Sequence, residues 1–553
     1  MNDCCATLNA TRNTVDPENP TSIHAHARID GDCYGNAKTP HTRGPLESNV
    51  RAPTCARACV TVTSGAVSLD DLPGLFGVDQ LHEHQTHAIE AAVAGRDVLL
   101  IVPTGSGKSL AFWGAGLIRG GVTLIVSPLR SLMADQYRRL EELGIPVRIW
   151  NSDVKRDYKS ETLRLLHEGW AGFVYSTPES LKRADLSSAL TDVVATAVID
   201  EAHCVLRDRG FRADYAWLGQ ILDRIRPAMR FACTATLPGR DRQGLIETLR
   251  LSAPVTITLP VARSNLTLSI VDRDEYTLSR ILNRHSGQAG LIFVATVHAA
   301  KQLHAKLTSQ GRNAILYYGK DLSPKLKKKA QDDFMSGRVP LGVVTDAFLL
   351  GVDHSSIRFI VHYDHPQSIE NWCQGFGRAG RDGRPAFTYG CFKGSTQGRE
   401  SRRFLLNASY PAVSSMLAVW EHLIAASFRD ETADEIATKV IGRNGKHSGN
   451  AILTTLKRYN LADSKVNPND RRKRLYTGKG DFDAVDWSEY EVEAADARTR
   501  FDQLCELACL PDDRIPAAID EYFGDDGEIL NLLESPPDNA GARAAGRNAH
   551  GLG

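Results

Sequence analysis

Thr104-Gly105-Ser106-Gly107-Lys108-Ser109 combines what a nucleoside triphosphate needs: a loop free of bulky side chains, a lysine, and a hydroxyl beside it. In such a loop backbone N–H groups surround phosphate oxygens, the lysine reaches the β- and γ-phosphates, and the Ser/Thr hydroxyl binds Mg²⁺. The loop follows the apolar run Val98-Leu99-Leu100-Ile101-Val102 and leads into a helix-compatible segment from Leu110. Strand, glycine-rich turn and helix N-terminus together bind phosphate. The strict pattern places glycine six residues before the lysine, where this chain has Val102. A second cluster, Asp200-Glu201-Ala202-His203, closes the run Ala197-Val198-Ile199. At the C-terminal end of a buried parallel strand, Asp200 would hold Mg²⁺ and Glu201 would orient and deprotonate an attacking water. Acidic residues at a helix N-terminus are the plainer alternative. The Lys-Ser loop in the same unit favours hydrolysis.

A third signal is Gln374-Gly375-Phe376-Gly377-Arg378-Ala379-Gly380-Arg381-Asp382-Gly383. Arginines three apart share a helix face and can both point into a cleft. A cation reaching the γ-phosphate is worth about 10³-fold or more in rate. Arg378 and Arg381 are therefore candidates for that role.

The positioning elements follow from apolar runs alternating with helical periodicity. In a first unit the expected strands are 98–102, 123–126, 172–175, 197–199 and 230–233, with helices over 131–143 and 159–167. The pattern then restarts with strands at 290–294, 313–317, 341–344, 357–362 and 387–391 and helices at 297–310 and 324–336. Such alternation implies parallel sheets covered by helices on both faces. Only the first unit carries a phosphate loop, so the nucleotide is expected in the cleft between the two. Beyond Lys393, helices over 411–428, 432–441 and 448–459 precede short strands at 461–466 and 475–477, which flank the basic turn Asn467 to Arg474. Helix-turn-helix followed by a basic hairpin is a winged-helix pattern. Its Lys446, His447, Arg471, Arg472, Lys473 and Arg474 are candidate phosphate contacts, with a solvated basic loop as the alternative.

At 553 residues the chain exceeds one core. With 42% apolar and 24% charged residues it has globular composition, and 66 Lys+Arg balance 66 Asp+Glu, so nucleic-acid binding must rely on local patches. No long apolar run or signal-peptide core is visible, which leads us to expect an intracellular protein, cytoplasmic or nuclear according to its source. The eleven cysteines form no regular framework. The pairs Cys55/Cys59 and Cys505/Cys509 lack a second pair at zinc spacing, so no structural zinc is expected. Expected domain spans are 1–64 (disordered), 65–260, 261–395, 396–480 (helical, winged-helix-like) and 481–553 (an acidic helical segment with a disordered tail).

These motifs, in this order, resemble superfamily-2 helicases, most nearly the RecQ family, over about 76–392. Phe76-Gly77 and Gln85 resemble the adenine-sensing element, and Val126-Ser127-Pro128-Leu129-Arg130-Ser131-Leu132-Met133-Ala134-Asp135-Gln136 a DNA-contact motif. Ser176-Thr177-Pro178-Glu179 resembles the next one. Asp200-Glu201-Ala202-His203-Cys204 is similar to the hydrolysis motif, and Thr234-Ala235-Thr236 to the element coupling hydrolysis to movement. Val344-Thr345-Asp346-Ala347-Phe348 with Gly351-Val352-Asp353 resembles the fifth motif, and Gln374 to Asp382 the sixth. The helicase form of the loop also tolerates a residue other than glycine at Val102.

The resemblance implies two tandem RecA-like domains followed by a small winged-helix-like α+β domain. It implies ATP- and Mg²⁺-dependent unwinding of, or movement on, DNA with 3′ to 5′ polarity, in repair or recombination. Gln85, Thr104–Ser109, Gly351 and Asp353 would then bind ATP. Lys108, Asp200, Glu201, His203, Gln374, Arg378 and Arg381 would act in hydrolysis, Arg381 as the finger. Phe211, Arg212, Thr234 and Thr236 would couple DNA to hydrolysis, and Ser127, Arg130, Thr177, Thr296 and Thr345 would grip DNA, although hydroxyls at strand ends are also ordinary caps.

Two departures stand out. The loop Val205 to Tyr215 is one residue shorter than the family pattern and lacks its Trp and His, though Phe211 and Arg212 remain. No cysteine lies between Cys391 and Cys505, where a four-cysteine zinc module would follow. An RNA helicase of the DEAD/DEAH groups, or a DNA-binding scaffold switched by ATP, are the competing readings. Cys204 and the Ser127-Pro128-Leu129 motif weigh against the first.

Overall fold

The computed structural model describes residues 67–128, 130–207, 217–319, 322–350, 356–425, 431–468 and 474–524. Seven strands, β1 (Val98–Ile101), β2 (Val122–Val126), β3 (Val147–Trp150), β4 (Gly172–Ser176), β5 (Val194–Ile199), β6 (Arg230–Thr234) and β7 (Val255–Thr258), form the first sheet. Their order is β3-β4-β2-β5-β6-β1-β7, with every pairing parallel. Successive side chains alternate between faces, so Leu99 and Ile101 enter one apolar core while Val98, Leu100 and Val102 enter the other. A strand buried on both faces has no reason to alternate polar and apolar residues, which is why β1 reads as a continuous apolar run.

The second sheet uses β8 (Leu266–Asp272), β9 (Gly290–Phe293), β10 (Ile315–Tyr317), β11 (Leu341–Val344), β12 (Phe359–His362) and β13 (Ala386–Lys393). Its order is β10-β11-β9-β12-β13-β8, again all parallel. The fold is thus two tandem RecA-like parallel-sheet domains. β3, β7 and β8 were not anticipated. Each is an edge strand with half-buried residues, so none presents a long apolar run.

In the C-terminal part, helices Val413–Ile424, Ala433–Ile441 and Gly445–Arg458 share a core with the antiparallel hairpin of β14 (Ala462–Val466) and β15 (Arg474–Gly478). Glycine makes this packing possible. A Cβ on Gly445 or Gly449 would lie 2.1 Å or 2.2 Å from backbone of helix Ala433–Ile441.

Parts of the expected spans 396–480 and 481–553 pack on the second domain. Helix Thr396–Ser409 buries Leu406 against the second domain, and Arg402 Nε donates to His365 O at 2.6 Å. Helices Ser488–Leu507 and Ile515–Phe523 occupy the span expected as an acidic helical segment, and they pack on the second domain. Phe501, Leu504, Ile515, Ile519 and Tyr522 join a core with Leu268, Ile270, Trp372 and Phe376. Several of their acids also face inward, since Asp520 accepts from Val261 N and Ala262 N and Asp496 from Arg500.

No described helix is long and apolar enough to cross a membrane. Cys233, Cys373, Cys391 and Cys505 are buried thiols, whereas Cys509 is exposed. The Cys55/Cys59 pair lies outside the described residues.

Candidate active site

Sheet order builds the site. β5, β6 and β1 are neighbours, so the loops at their C-terminal ends meet. These carry Asp200 to His203, Thr234 to Thr236, and the phosphate loop. Gly105 and Gly107 adopt φ of +85° and +74°, a region costly for other residues. Gln85 fixes the loop from outside. Its amide donates to Gly107 O at 3.0 Å and Ser106 O at 3.3 Å while Oε1 accepts from His82 N at 2.8 Å. A Cβ on Gly107 would sit 2.3 Å from that amide. The His84 ring, unassigned by sequence, lies 2.9 Å from Ser106 O. Lys108 Nζ folds over the loop, 3.3 Å from Val102 O and 3.4 Å from Pro103 O.

Ser109 and Asp200 converge on one point. The Gln136 side-chain amide donates to Ser109 Oγ at 3.3 Å and to Asp200 Oδ2 at 3.2 Å. A hydroxyl and a carboxylate sharing one donor are close enough to share one hard cation, so this oxygen pair fits Mg²⁺. Burial, with the Glu201 charge adding to it, pushes the Asp200 carboxyl up to about 6, and a cation there would relieve that cost. Gln136 appeared in the sequence only as the end of a motif. Its bridging role needs the fold.

Glu201 has φ +50°, a strained setting for a residue with a side chain and one that recurs at active sites. Its carboxylate lies 3.5 Å from His203 Nδ1, which is also 2.8 Å from Thr234 Oγ1. On the ring's other side the Gln374 amide is 3.2 Å from His203 Nε2 and donates to Thr236 Oγ1 at 3.0 Å. One histidine thus joins the Glu201 carboxylate to the Thr-Ala-Thr element and to the opposite domain.

The second domain supplies the other wall. Thr104 Oγ1 donates to Gly377 O at 2.8 Å, and a Cβ on Gly105 would lie 3.0 Å from Arg381 Cγ. Arg381 therefore lies directly over the phosphate loop. Arg378 sits on the same segment, three residues before it. Arg263, missed in the sequence, donates to Gly377 O, Ala379 O and Gly380 O at 2.8, 2.7 and 3.3 Å, which fixes the backbone carrying both arginines. Burial, and then Arg381, push its guanidinium down to about 10. A lone arginine after the first domain offered no pattern to find it by.

The expected DNA contacts are scattered. Ser127 and Thr177 are buried, and Thr177 caps helix Pro178–Leu181 by accepting from Ser180 N. Thr296 caps helix Val297–Ser309 through Ala299 N at 3.1 Å. These two hydroxyls serve as caps. Thr345 follows β11 and is buried. Exposed Arg130 pairs with Asp153 at 2.9 Å. Arg474 begins β15 and donates to Ser464 Oγ at 3.1 Å. Lys446 is exposed, and the His447 ring meets Phe404 edge-on. Gly351, Asp353, Phe211, Arg212, Arg471, Arg472 and Lys473 lie outside the described residues.

Comparison with known proteins agrees with this geometry. A DEAD/DEAH box helicase model matches residues 82–245, and a helicase conserved C-terminal domain model matches 275–383. The ATP-dependent DNA helicase hus2/rqh1 of Schizosaccharomyces pombe is 34% identical over 330 residues, covering 56% of this chain and 25% of that protein. The ATP-dependent DNA helicase RecQ of Pasteurella multocida is 32% identical over 323 residues, 58% of this chain and 51% of that one. For the protein of the same name from Synechocystis the figures are 31% over 325 residues, 56% and 68%. The chain thus spans only about half, or less, of the length of the first relatives it matches.

Proposed function

The chain belongs to the RecQ-like family of superfamily-2 helicases, and from that premise we propose that it is an ATP- and Mg²⁺-dependent DNA helicase or translocase. The observation that carries the reading is Arg381 lying over Gly105, opposite Lys108, Ser109, Asp200 and Glu201.

In this reading the loop N–H groups and Lys108 bind the β- and γ-phosphates. Mg²⁺ held by Ser109 and Asp200 would neutralise phosphate charge. Glu201 accepts a proton from the attacking water, and His203 keeps its carboxylate oriented. Arg381 and Arg378 stabilise charge on the transferred group. Gln374 reports the state of the site across the cleft, because it touches both His203 and Thr236. Closure on ATP and opening after hydrolysis would shift the two domains' DNA-gripping surfaces against each other.

Family resemblance supports 3′ to 5′ movement and a place in DNA repair or recombination. The basic turn 467–474 is the proposed duplex contact. The test compares ATP turnover alone, with single-stranded DNA and with RNA. Strong stimulation by DNA is expected. Preference for RNA would replace the substrate assignment, and no turnover under any condition would leave an ATP-switched scaffold instead.

A further inference from the structure

Arg500, on helix Ser488–Leu507, holds three carboxylates from three parts of the fold. Its Nη1 donates to Glu370 Oε1 at 2.5 Å, on the helix that leads to Gln374 and the arginines. Its Nη2 donates to both oxygens of Asp241 at 3.0 and 2.9 Å, and its Nε to Asp496 at 2.6 Å. Asp241 belongs to the first domain, in the first turn of helix Gly239–Leu249, five residues beyond Thr236. Arg500 and Glu370 are buried, and Tyr522 Oη adds a 2.8 Å bond to Glu370 Oε1.

The same two segments that meet directly at Gln374 and Thr236 are therefore tied a second time, one helical turn away, through Arg500. A second observation points the same way. Asp520, on the helix that follows, accepts from Val261 N at 3.0 Å and Ala262 N at 3.2 Å. Those residues form the inter-domain connection, which continues into Arg263 and its bonds to Gly377, Ala379 and Gly380. The C-terminal helix pair is thus linked to the arginine-bearing segment by two routes, one through Glu370 and one through the connection that carries Arg263.

We propose that this helix pair is an inter-domain clasp in which Arg500 is a positioning residue, setting Arg381 against the phosphate loop through Glu370 and Asp241. It deepens the ATPase reading above and rests on it. A guanidinium fork can span three carboxylates, whereas an ammonium is a point charge. Asp241 supplies the first-domain leg, and Asp241→Asn removes its charge while leaving Glu370, Arg500 and Tyr522 in place.

The experiment measures DNA-stimulated ATP hydrolysis by the full chain under single-turnover and steady-state conditions. The variants are Asp241→Asn, Asp241→Glu, Arg500→Lys, and Asp241→Asn combined with Arg381→Ala. Displacing a reacting group by about 1 Å costs up to about 10²-fold. Asp241→Asn should lower kcat about 10-fold or more with the KM for ATP within twofold. Asp241→Glu should restore most of the rate, and Arg500→Lys should resemble Asp241→Asn. In the Arg381→Ala background Asp241→Asn should add nothing, because the clasp acts through that arginine. An unchanged or raised kcat overturns the clasp, as does a loss that multiplies with that of Arg381→Ala. A parent chain without ATP turnover overturns the function itself and the clasp's role with it, an outcome distinct from an active parent indifferent to Asp241.

Discussion

Lys108 and Glu201 do different work in the proposed reaction, and their substitutions should fail differently. Lys108→Ala removes the charge over the phosphate loop, so both ATP binding and turnover should be lost. Glu201→Gln keeps the shape and leaves binding intact, but the rate should fall about 10²- to 10⁴-fold as the base is lost. Normal turnover in either variant would sink the site assignment. His362 makes a pH prediction. Burial, and then Arg402, hold its ring down to about 3, and a Cβ on Gly375 would lie 2.2 Å from its Nε2. The unfolded chain therefore takes a proton near pH 6.5 that the folded one refuses. Stability is full above pH 6.5 and is lost as the pH falls toward 3. The urea midpoint should drop over that range, and more gently in His362→Gln. An equal slope in both proteins would assign the effect to other groups. His365, held near 4 by burial and by Arg399 and Arg402, adds to the same decline.

Element by element, what could be read from the chain depended on burial. β1, β2, β4 and β5 are almost wholly buried and show as apolar runs, whereas the edge strands β3, β7 and β8 do not. The helices after residue 481 carry apolar residues among acids, and only the fold shows that these seat on the second domain. The crossing at Gly445 and Gly449 is another feature of shape. Gly449→Val would push a side chain into Ala433 O, and overpacking of this kind costs about 1–3 kcal/mol. A urea titration should show that loss in the core shared with β14 and β15. No change in midpoint would mean that the helices separate freely.

Across the whole molecule, ATP is proposed to work by bridging two domains that already touch. Thr104 meets Gly377, and Gln374 meets His203 and Thr236. A non-hydrolysable ATP analogue with Mg²⁺ binds only the folded state and should raise Tm. The rise should shrink in Arg381→Ala, since one wall then loses its charge. An equal rise in both proteins would place the nucleotide on the first domain alone. DNA binding by a chain of balanced charge should rest on local phosphate contacts and weaken steeply with salt. A binding constant indifferent to salt would argue against that mode.

By itself the sequence determined the phosphate loop, the Asp-Glu-Ala-His cluster and the arginine segment, because their chemistry demands particular residues at close spacing. It also determined two α/β units, because strands buried on both faces must be apolar throughout. Only the tertiary structure decided that Gln136 joins Ser109 to Asp200, that Arg263 fixes the arginine-bearing backbone, and that Arg500 ties Glu370 to Asp241. Each is a single polar residue far in sequence from its partners. Its meaning lies in a burial and a distance that no local pattern records.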